Sequence, residues 1–250
     1  MDVLHVVLIA AAALTAGAVN AIAGGGSLIT FPVLLASGLP AVTASMTNTV
    51  AMCPGYLGAT IAQRRDLEGQ SRRAWQLVPL SLVGSWSGAW ILLNTTERAF
   101  QTIVPFLLLF AAVLLALQGK LRSFIAHHTG HRRSMAVAAL PVGLAAIYGA
   151  YFCAGMGVII LAILAVVIDE TLVRVNALKQ LMSLIINTTA AIVFLANGHV
   201  DWVVAGVIAV ASLVGGLLGG RLATKIPEAL LRWSAIAIAL VVAAIYFARL

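Results

Sequence analysis

Apolar residues run almost unbroken through most of this chain, and short polar clusters separate the runs. Eight runs emerge, over residues 3–37, 40–62, 74–93, 99–118, 134–168, 171–196, 202–224 and 228–248. A helix needs about 20 apolar residues to cross a bilayer, so six of the runs fit one crossing each. The first and fifth, at 35 residues each, are too long for one straight crossing. Both are interrupted by glycine. Gly24-Gly25-Gly26 precedes Ser27 in the first, and Cys153-Ala154-Gly155-Met156-Gly157 lies in the fifth, with the break expected over 154–157. Each glycine costs a helix about 1 kcal/mol relative to alanine. In lipid, irregular backbone survives only where protein or a watery cavity covers it. Ser27 is the expected N-cap of a second short helix, with Pro32 near its start.

The pattern repeats. Ser81-Leu82-Val83-Gly84 recurs as Ser212-Leu213-Val214-Gly215, a shift of 131 that also lays Gly88 on Gly219 and Glu97 on Glu228. A shift of 130 lays Gly25 on Gly155, Met52 on Met182 and Thr49 on Lys179. The reading is an all-α membrane protein of two repeats, each a broken first segment plus three transmembrane helices. The first repeat covers 1–118, a basic connector 119–133, and the second repeat 134–250.

Charge sets the orientation. The chain is 62% hydrophobic and 9% charged, against about 25% charged for a soluble domain. Its net charge of +7 comes from clusters between the apolar runs, as the positive-inside rule expects, and gives no reason to invoke nucleic acid. Arg64, Arg65, Arg72 and Arg73 fill one loop, Lys120, Arg122, Arg132 and Arg133 another, and Arg221, Lys225 and Arg232 surround the last. The loop Asn197-Gly198-His199-Val200-Asp201 has no Lys or Arg. All three basic loops face the cytoplasm only if the fifth run is a re-entrant hairpin. Each half then has three crossings, an odd number, so the halves are inverted and both termini lie outside. Met1-Asp2-Val3-Leu4-His5 lacks a basic signal-peptide region, so the first run is read as retained.

Candidate chemistry is sparse and membrane-embedded. The two breaks could aim two short-helix N-termini, which carry partial positive charge, at one point; close packing through small residues is the competing account. Ser45, Thr47, Asn48 and Thr49 put polar groups into an apolar helix, as cavity lining or as interhelical hydrogen bonds. Asn176, Lys179 and Asn187 do the same in the sixth run. Lys179 lies about 12 Å inside that run. A charge at that depth is a functional-site candidate, with snorkelling as the alternative. Asp169 and Glu170 mark the end of the hairpin or pair with Arg174 or Lys179. Glu97 and Glu228 complete the carboxylates near segment ends. Gly84, Gly88, Gly215, Gly216, Gly219 and Gly220 read as packing positions, and Trp75 and Trp202 as interface anchors. His127, His128 and His131 lack the Cys, Asp or Glu partners a metal site would want. Cys53 and Cys153 read as inert buried thiols.

The stretches GGGSLITFPVLLASGLP, TASMTNT and VNALKQLMSLIINTTAAIVFLANGHVDW resemble, in order, the repeat signatures of the TauE/SafE sulfite-exporter family. The resemblance spans essentially the whole chain. It implies a multi-pass permease of the bacterial inner membrane that moves small sulfur-containing anions such as sulfite or organosulfonates. By position it makes Gly24, Gly25, Gly26, Thr47, Asn48, Gly155, Asn176, Lys179 and Asn187 site candidates. Ser27, Thr49 and Gly157 join them from the reading of the breaks and the polar helix. Thr49 stands where the family's first signature usually has a lysine.

The expected function is a secondary transporter working by alternating access, with a small anionic substrate, the lipid bilayer and a coupling ion, H+ or Na+, as partners. An anion channel with the same midplane site is the alternative. No cofactor and no metal are expected. No G-x-x-x-x-G-K-[ST], G-x-S-x-G or H-E-x-x-H pattern occurs, so neither direct ATP use nor an intramembrane enzyme is expected.

Overall fold

The computed structural model describes residues 3–128, 135–222 and 228–247. The expected connector beyond His128 and the side chains of Lys120, Arg122, His127, His128 and Glu228 lie outside the described residues. The described chain is all helical: α1 (Val3–Ile22), α2 (Ser27–Ala36), α3 (Ala41–Ala62), α4 (Ser71–Leu93), α5 (Glu97–His128), α6 (Met135–Phe152), α7 (Met156–Val167), α8 (Leu172–Asn197), α9 (Trp202–Leu222) and α10 (Glu228–Phe247), plus a 3-10 turn at Arg64–Leu67. Both glycine breaks interrupt helices, giving α1–α2 and α6–α7. The α5 helix runs ten residues beyond the expected end of the first repeat, into what was read as connector.

Five described helices, α1, α4, α5, α8 and α9, are long and apolar enough to cross a membrane over Val3–Ile22, Ser71–Leu93, Glu97–Leu117, Leu172–Ala196 and Trp202–Arg221. The α3 helix has the length, but Ser45, Thr47, Asn48 and Thr49 dilute its hydropathy, and all four are completely buried. The exterior is the apolar side: Trp86, Phe106, Leu140, Ile192, Val210 and Val241 are exposed. Polar groups inside and large apolar groups outside is the distribution a hydrocarbon solvent selects. Trp75 and Trp202 are also exposed, at the first turns of α4 and α9.

Small residues set which helices touch. A methyl group on Gly215 would overlap the carbonyl of Leu14, and one on Gly219 would meet Ala18, so α1 and α9 run parallel in close contact. Gly84 against Gly143 and Gly88 against Ile147 do the same for α4 and α6. Gly216 packs on the carbonyl of Gly55, which joins α3 to α9. The packing expected at these positions is present.

Two sets of loop contacts mark the ends of the molecule. At one end His5, Ser37, Gly38, Leu39, Pro40, Thr43 and Asp201 line a single cavity of about 530 Å³, so the chain leaves α2 beside the start of α1. Glu97 fixes the same end by accepting hydrogen bonds from the N–H groups of Ala41 and Val42. This carboxylate caps α3 at its positive end, where Pro40 offers no side-chain cap. At the other end Glu170 pairs with Arg73 at 3.1 Å and with Arg174 at 3.0 Å. Gln70 Nε2 donates to the Arg174 carbonyl at 2.9 Å, and Arg174 donates to the Glu68 carbonyl at 2.8 Å. The α6 helix runs parallel to α4. Glu170 pairs with Arg174, one of the two partners expected for it, and adds Arg73 in place of Lys179.

Two outcomes follow. Gly216→Ala should lower thermal stability by about 1–3 kcal/mol through overpacking. Gly206→Ala, where nothing lies within 4 Å of an added methyl, should gain about 0.5–1 kcal/mol; melts of both variants in detergent check the pair. The Arg73 guanidinium, with Arg174, holds the Glu170 carboxyl below its ordinary value of 4.5. The link is thus complete at neutral pH and is lost as pH falls below that value and through the depressed one. Glu170→Gln should show less acid destabilisation in that window than the native chain, measured as melting temperature against pH.

Candidate functional site

A helix that stops inside an apolar medium strands its last carbonyls and the first N–H groups of the next helix. The α1 helix stops at Ile22 with Gly24 left-handed at φ +88, a conformation that suits glycine. The Val19 carbonyl accepts from Ala23 N at 2.7 Å and Gly24 N at 3.0 Å. The next two carbonyls are satisfied by side chains. Asn20 O accepts from Lys179 Nζ at 2.9 Å and Gln180 Nε2 at 2.7 Å. Ala21 O accepts from Asn176 Nδ2 at 2.8 Å and Gln63 Nε2 at 3.2 Å. Asn176 Nδ2 also donates to Gln63 Oε1 at 3.0 Å. The ammonium thus sits at the negative end of α1, where a cation is favoured.

The same turn of α1 starts the next helix. Asn20 Oδ1 accepts from Gly26 N at 2.7 Å. Gly26, not Ser27, is the N-cap of α2, and Ser27 is its first residue. The expected hydroxyl cap is replaced by an amide reaching forward from the preceding helix. Pro32 lies inside α2.

The second break spans Cys153–Gly155, so Gly157 belongs to the first turn of α7 and not to the break. Cys153 has φ +61 and Gly155 φ +82; the cysteine accepts a backbone region costly for a side chain. Ser45 Oγ donates to the Tyr151 carbonyl at 3.4 Å, Asn48 Nδ2 reaches Cys153 Sγ at 3.0 Å, and Tyr148 OH donates to the Ala154 carbonyl at 2.9 Å. Gly24 and Gly155, the left-handed glycines of the two breaks, are 131 residues apart. The N-caps Pro40 and Thr171 of α3 and α8 are separated equally. At the same separation Asn48 precedes Lys179 by 131 residues.

The first break touches the first turn of α7. A methyl on Gly24 would come within 2.8 Å of the Gly157 backbone, and one on Gly157 within 2.7 Å of the Gly24 carbonyl. The backbone of the first break therefore meets the start of α7 at one buried point. The Tyr56 phenol lies there beside Ser27, Asn20 and Cys153, and Cys153 neighbours Ser27, Ser45, Asn48 and Thr49. Several buried polar atoms have no hydrogen-bond partner: Asn20 Nδ2, Asn48 Oδ1, Asn176 Oδ1, Gln180 Oε1, Ser183 Oγ and Thr30 Oγ1. Each such group costs about 1–3 kcal/mol, an incentive for a polar guest.

The structure thus brings together Gly24, Gly26, Ser27, Asn48, Thr49 and Gly157, with Asn176 and Lys179 one helix end away. Lys179 is fully buried, which removes the snorkelling account. Gly25 and Gly155 instead face α5, against Leu115 and Ala111. Thr47 points elsewhere, its Oγ1 accepting from Asp201 N at 3.1 Å. Asn187 bonds back to the Ser183 carbonyl at 2.9 Å. Asn20, Gln63, Gln180 and Tyr56 were missed. Asn20 carried a signal, as a polar residue in the last turn before three glycines. The two cysteines are free thiols, and no metal-holding group of His, Cys, Asp and Glu occurs among the described residues.

The profile of a family described as "Sulfite exporter TauE/SafE" matches residues 9–246. The chain belongs to this family of membrane transporters. It is similar to "Probable membrane transporter protein YfcA" of Escherichia coli (strain K12), at 27% identity over 88% of this chain and 81% of that protein. It is also similar to a "Probable membrane transporter protein" of Haemophilus influenzae, at 27% identity over 86% and 83% of the two chains. A third relative is "Probable membrane transporter protein ORF9" of a Sinorhizobium species, at 25% identity over 85% and 80%. No solved structure matches the chain.

Asn20 links the two helices of the first break through its side chain. Asn20→Ala should cost about 1–3 kcal/mol of stability by stranding the Gly26 N–H. Thr15→Ala, whose hydroxyl bonds only within its own helix, should stay within about 0.5 kcal/mol of native. Thermal melts in one detergent compare them.

Proposed function

We propose that the chain is a secondary transporter of a small anion, a sulfur-containing oxyanion such as sulfite or an organosulfonate, across the bacterial inner membrane. The observation that carries this reading is the contact of the first break at Gly24 with the first turn of α7 at Gly157, in a chain that keeps several buried polar atoms without partners. The N-terminus of α7 lies at that contact and Ser27, the first residue of α2, lies beside Cys153; helix N-termini favour anions through N–H groups and dipole. Asn48, Ser27 and Thr49 add polar contacts. Lys179, on the far side of Asn20, adds positive potential through a medium that screens little. Membership of a transporter family supports the same reading.

The mechanism follows from the packing. Hairpins α1–α2 and α6–α7 enter from opposite ends, which supports two inverted repeats with re-entrant first segments. The end with Arg64, Arg65, Arg72 and Arg73 is the cytoplasmic one. Each hairpin packs on a helix of the other half, α1 on α9 and α6 on α4. Rocking one such pair against the other exposes the contact point to either side in turn.

The test is uptake into proteoliposomes from a panel of radiolabelled sulfite, thiosulfate, sulfonates and carboxylates. The expected result is uptake of a sulfur oxyanion, driven above equilibrium by an ion gradient. Gly157→Leu should cut it roughly tenfold or more, a loss of about 1.4 kcal/mol or greater in the limiting step, and Gly206→Leu should leave it intact. Uptake that never exceeds equilibrium would favour the channel. Absence of uptake for every anion in the panel would overturn the assignment.

A further inference from the structure

We propose that the anion is bound as its singly protonated form, and that Asn48 Oδ1 selects that form by accepting a hydrogen bond from the anion's O–H. This rests on the reading of the chain as a transporter of a sulfur oxyanion. It narrows that reading to hydrogensulfite, in preference to the sulfite dianion or a sulfonate.

Donors and acceptors are unequally free beside the second break. Ser45, Asn48 and Thr49 of α3 are completely buried and share one helix face, at spacings of three and four. All three lie beside the Cys153 thiol. Their donor atoms are committed within the protein. Ser45 Oγ donates to the Tyr151 carbonyl at 3.4 Å, and Thr49 Oγ1 donates to the Ser45 carbonyl at 3.0 Å. Asn48 Nδ2 donates to Cys153 Sγ at 3.0 Å, which fixes the amide. Asn48 Oδ1 has no hydrogen-bond partner. What this face offers a guest is lone pairs.

Donors for an anion come from the backbone. Cys153 stands two residues before Gly155, the N-cap of α7, and this helix start has no side-chain cap. Its first turn therefore presents N–H groups and the positive end of the helix dipole. A fully deprotonated oxyanion there would hold negative charge against the lone pairs of Asn48. A hydrogen-oxyanion satisfies both sides: its oxygens accept from the α7 amides, and its O–H donates to Asn48 Oδ1. A buried acceptor left unpaired is costly. The guest that pairs it is held more tightly than one of equal charge that cannot.

The pH dependence lies in the ligand. Sulfite is the hydrogen monoanion at mildly acid pH and the dianion at mildly alkaline pH. Methanesulfonate keeps one negative charge throughout, with a methyl where hydrogensulfite has its O–H. Titratable and charged side chains described on the elements packed against α3 are His5 of α1, Glu97 and Arg98 of α5, Tyr148 and Tyr151 of α6, Arg174 and Lys179 of α8 and Arg221 of α9; α2 has none. Cys53 and Tyr56 lie on α3 itself, and Cys153 meets the Asn48 amide. Their response to pH acts on methanesulfonate as well, so the ratio of the two affinities isolates the O–H.

Calorimetry on the purified native chain in detergent measures that ratio. At mildly acid pH hydrogensulfite should bind roughly tenfold or more tighter than methanesulfonate. Sulfite binding should weaken as pH rises through its last ionisation, while methanesulfonate binding stays nearly constant. Asn48→Leu, which keeps the volume and removes the acceptor, should bind the two monoanions almost equally. If that variant does not purify as monodisperse protein, the two native titrations decide. Equal native affinities for the two monoanions would overturn the proposal. So would tighter binding of the dianion, the result expected if the amide presented Nδ2 to the guest, or an unaltered preference in Asn48→Leu. A native chain that binds neither monoanion also overturns it, and uptake of the wider anion panel then decides the transporter reading separately.

Discussion

The structure depends on one constraint: backbone polar groups exposed by a helix break in an apolar medium must be satisfied from elsewhere. At the first break the donors come from α8 and from the end of α3, far away in sequence. Lys179 reaches a carbonyl 159 residues earlier in the chain. At the second break they come from the early turns of α3 and from α6 itself. The breaks therefore tie together helices far apart in the chain. Those helices supply groups that make irregular backbone tolerable inside hydrocarbon. A break that needs a distant helix is also a break that can respond when that helix moves.

The two breaks solve the same problem with different chemistry. The first uses an ammonium and three amides against two carbonyls. The second uses a hydroxyl, an amide aimed at a thiol, and a tyrosine hydroxyl, and leaves Cys153 in a left-handed conformation. Satisfaction is incomplete at both, with Asn20, Asn48, Asn176 and Gln180 each keeping one polar atom unpaired. Packing elsewhere is tight, with glycines pressed on carbonyls along α1–α9 and α4–α6. The unmet polar capacity is thus concentrated near the place where the chain is irregular, as expected of a site.

Much of this was legible in the sequence. Apolar run lengths placed every helix end but that of α5 to within a few residues, because hydrocarbon thickness fixes the length of a crossing. Three adjacent glycines marked the first break, and the depth of Lys179 marked a special residue. Partners were not legible. Nothing local connects Lys179 to Asn20 or Asn48 to Cys153, since long-range contacts leave no periodicity. Ser27 has the composition of a cap, yet Asn20 reaches Gly26 first from the turn before. The end of α5 was not legible, because the helix continues to His128 through basic residues that a hydropathy reading assigns to a loop.

The central claim is that the backbone N–H groups at the two breaks hold the transported anion. Hydrogen–deuterium exchange with mass spectrometry measures those amides directly. A transported anion should slow exchange in peptides covering residues 24–28 and 155–159 together, with little change along α9 and α10. Protection confined to the loops, or protection at neither break under saturating transported anion, would contradict the account.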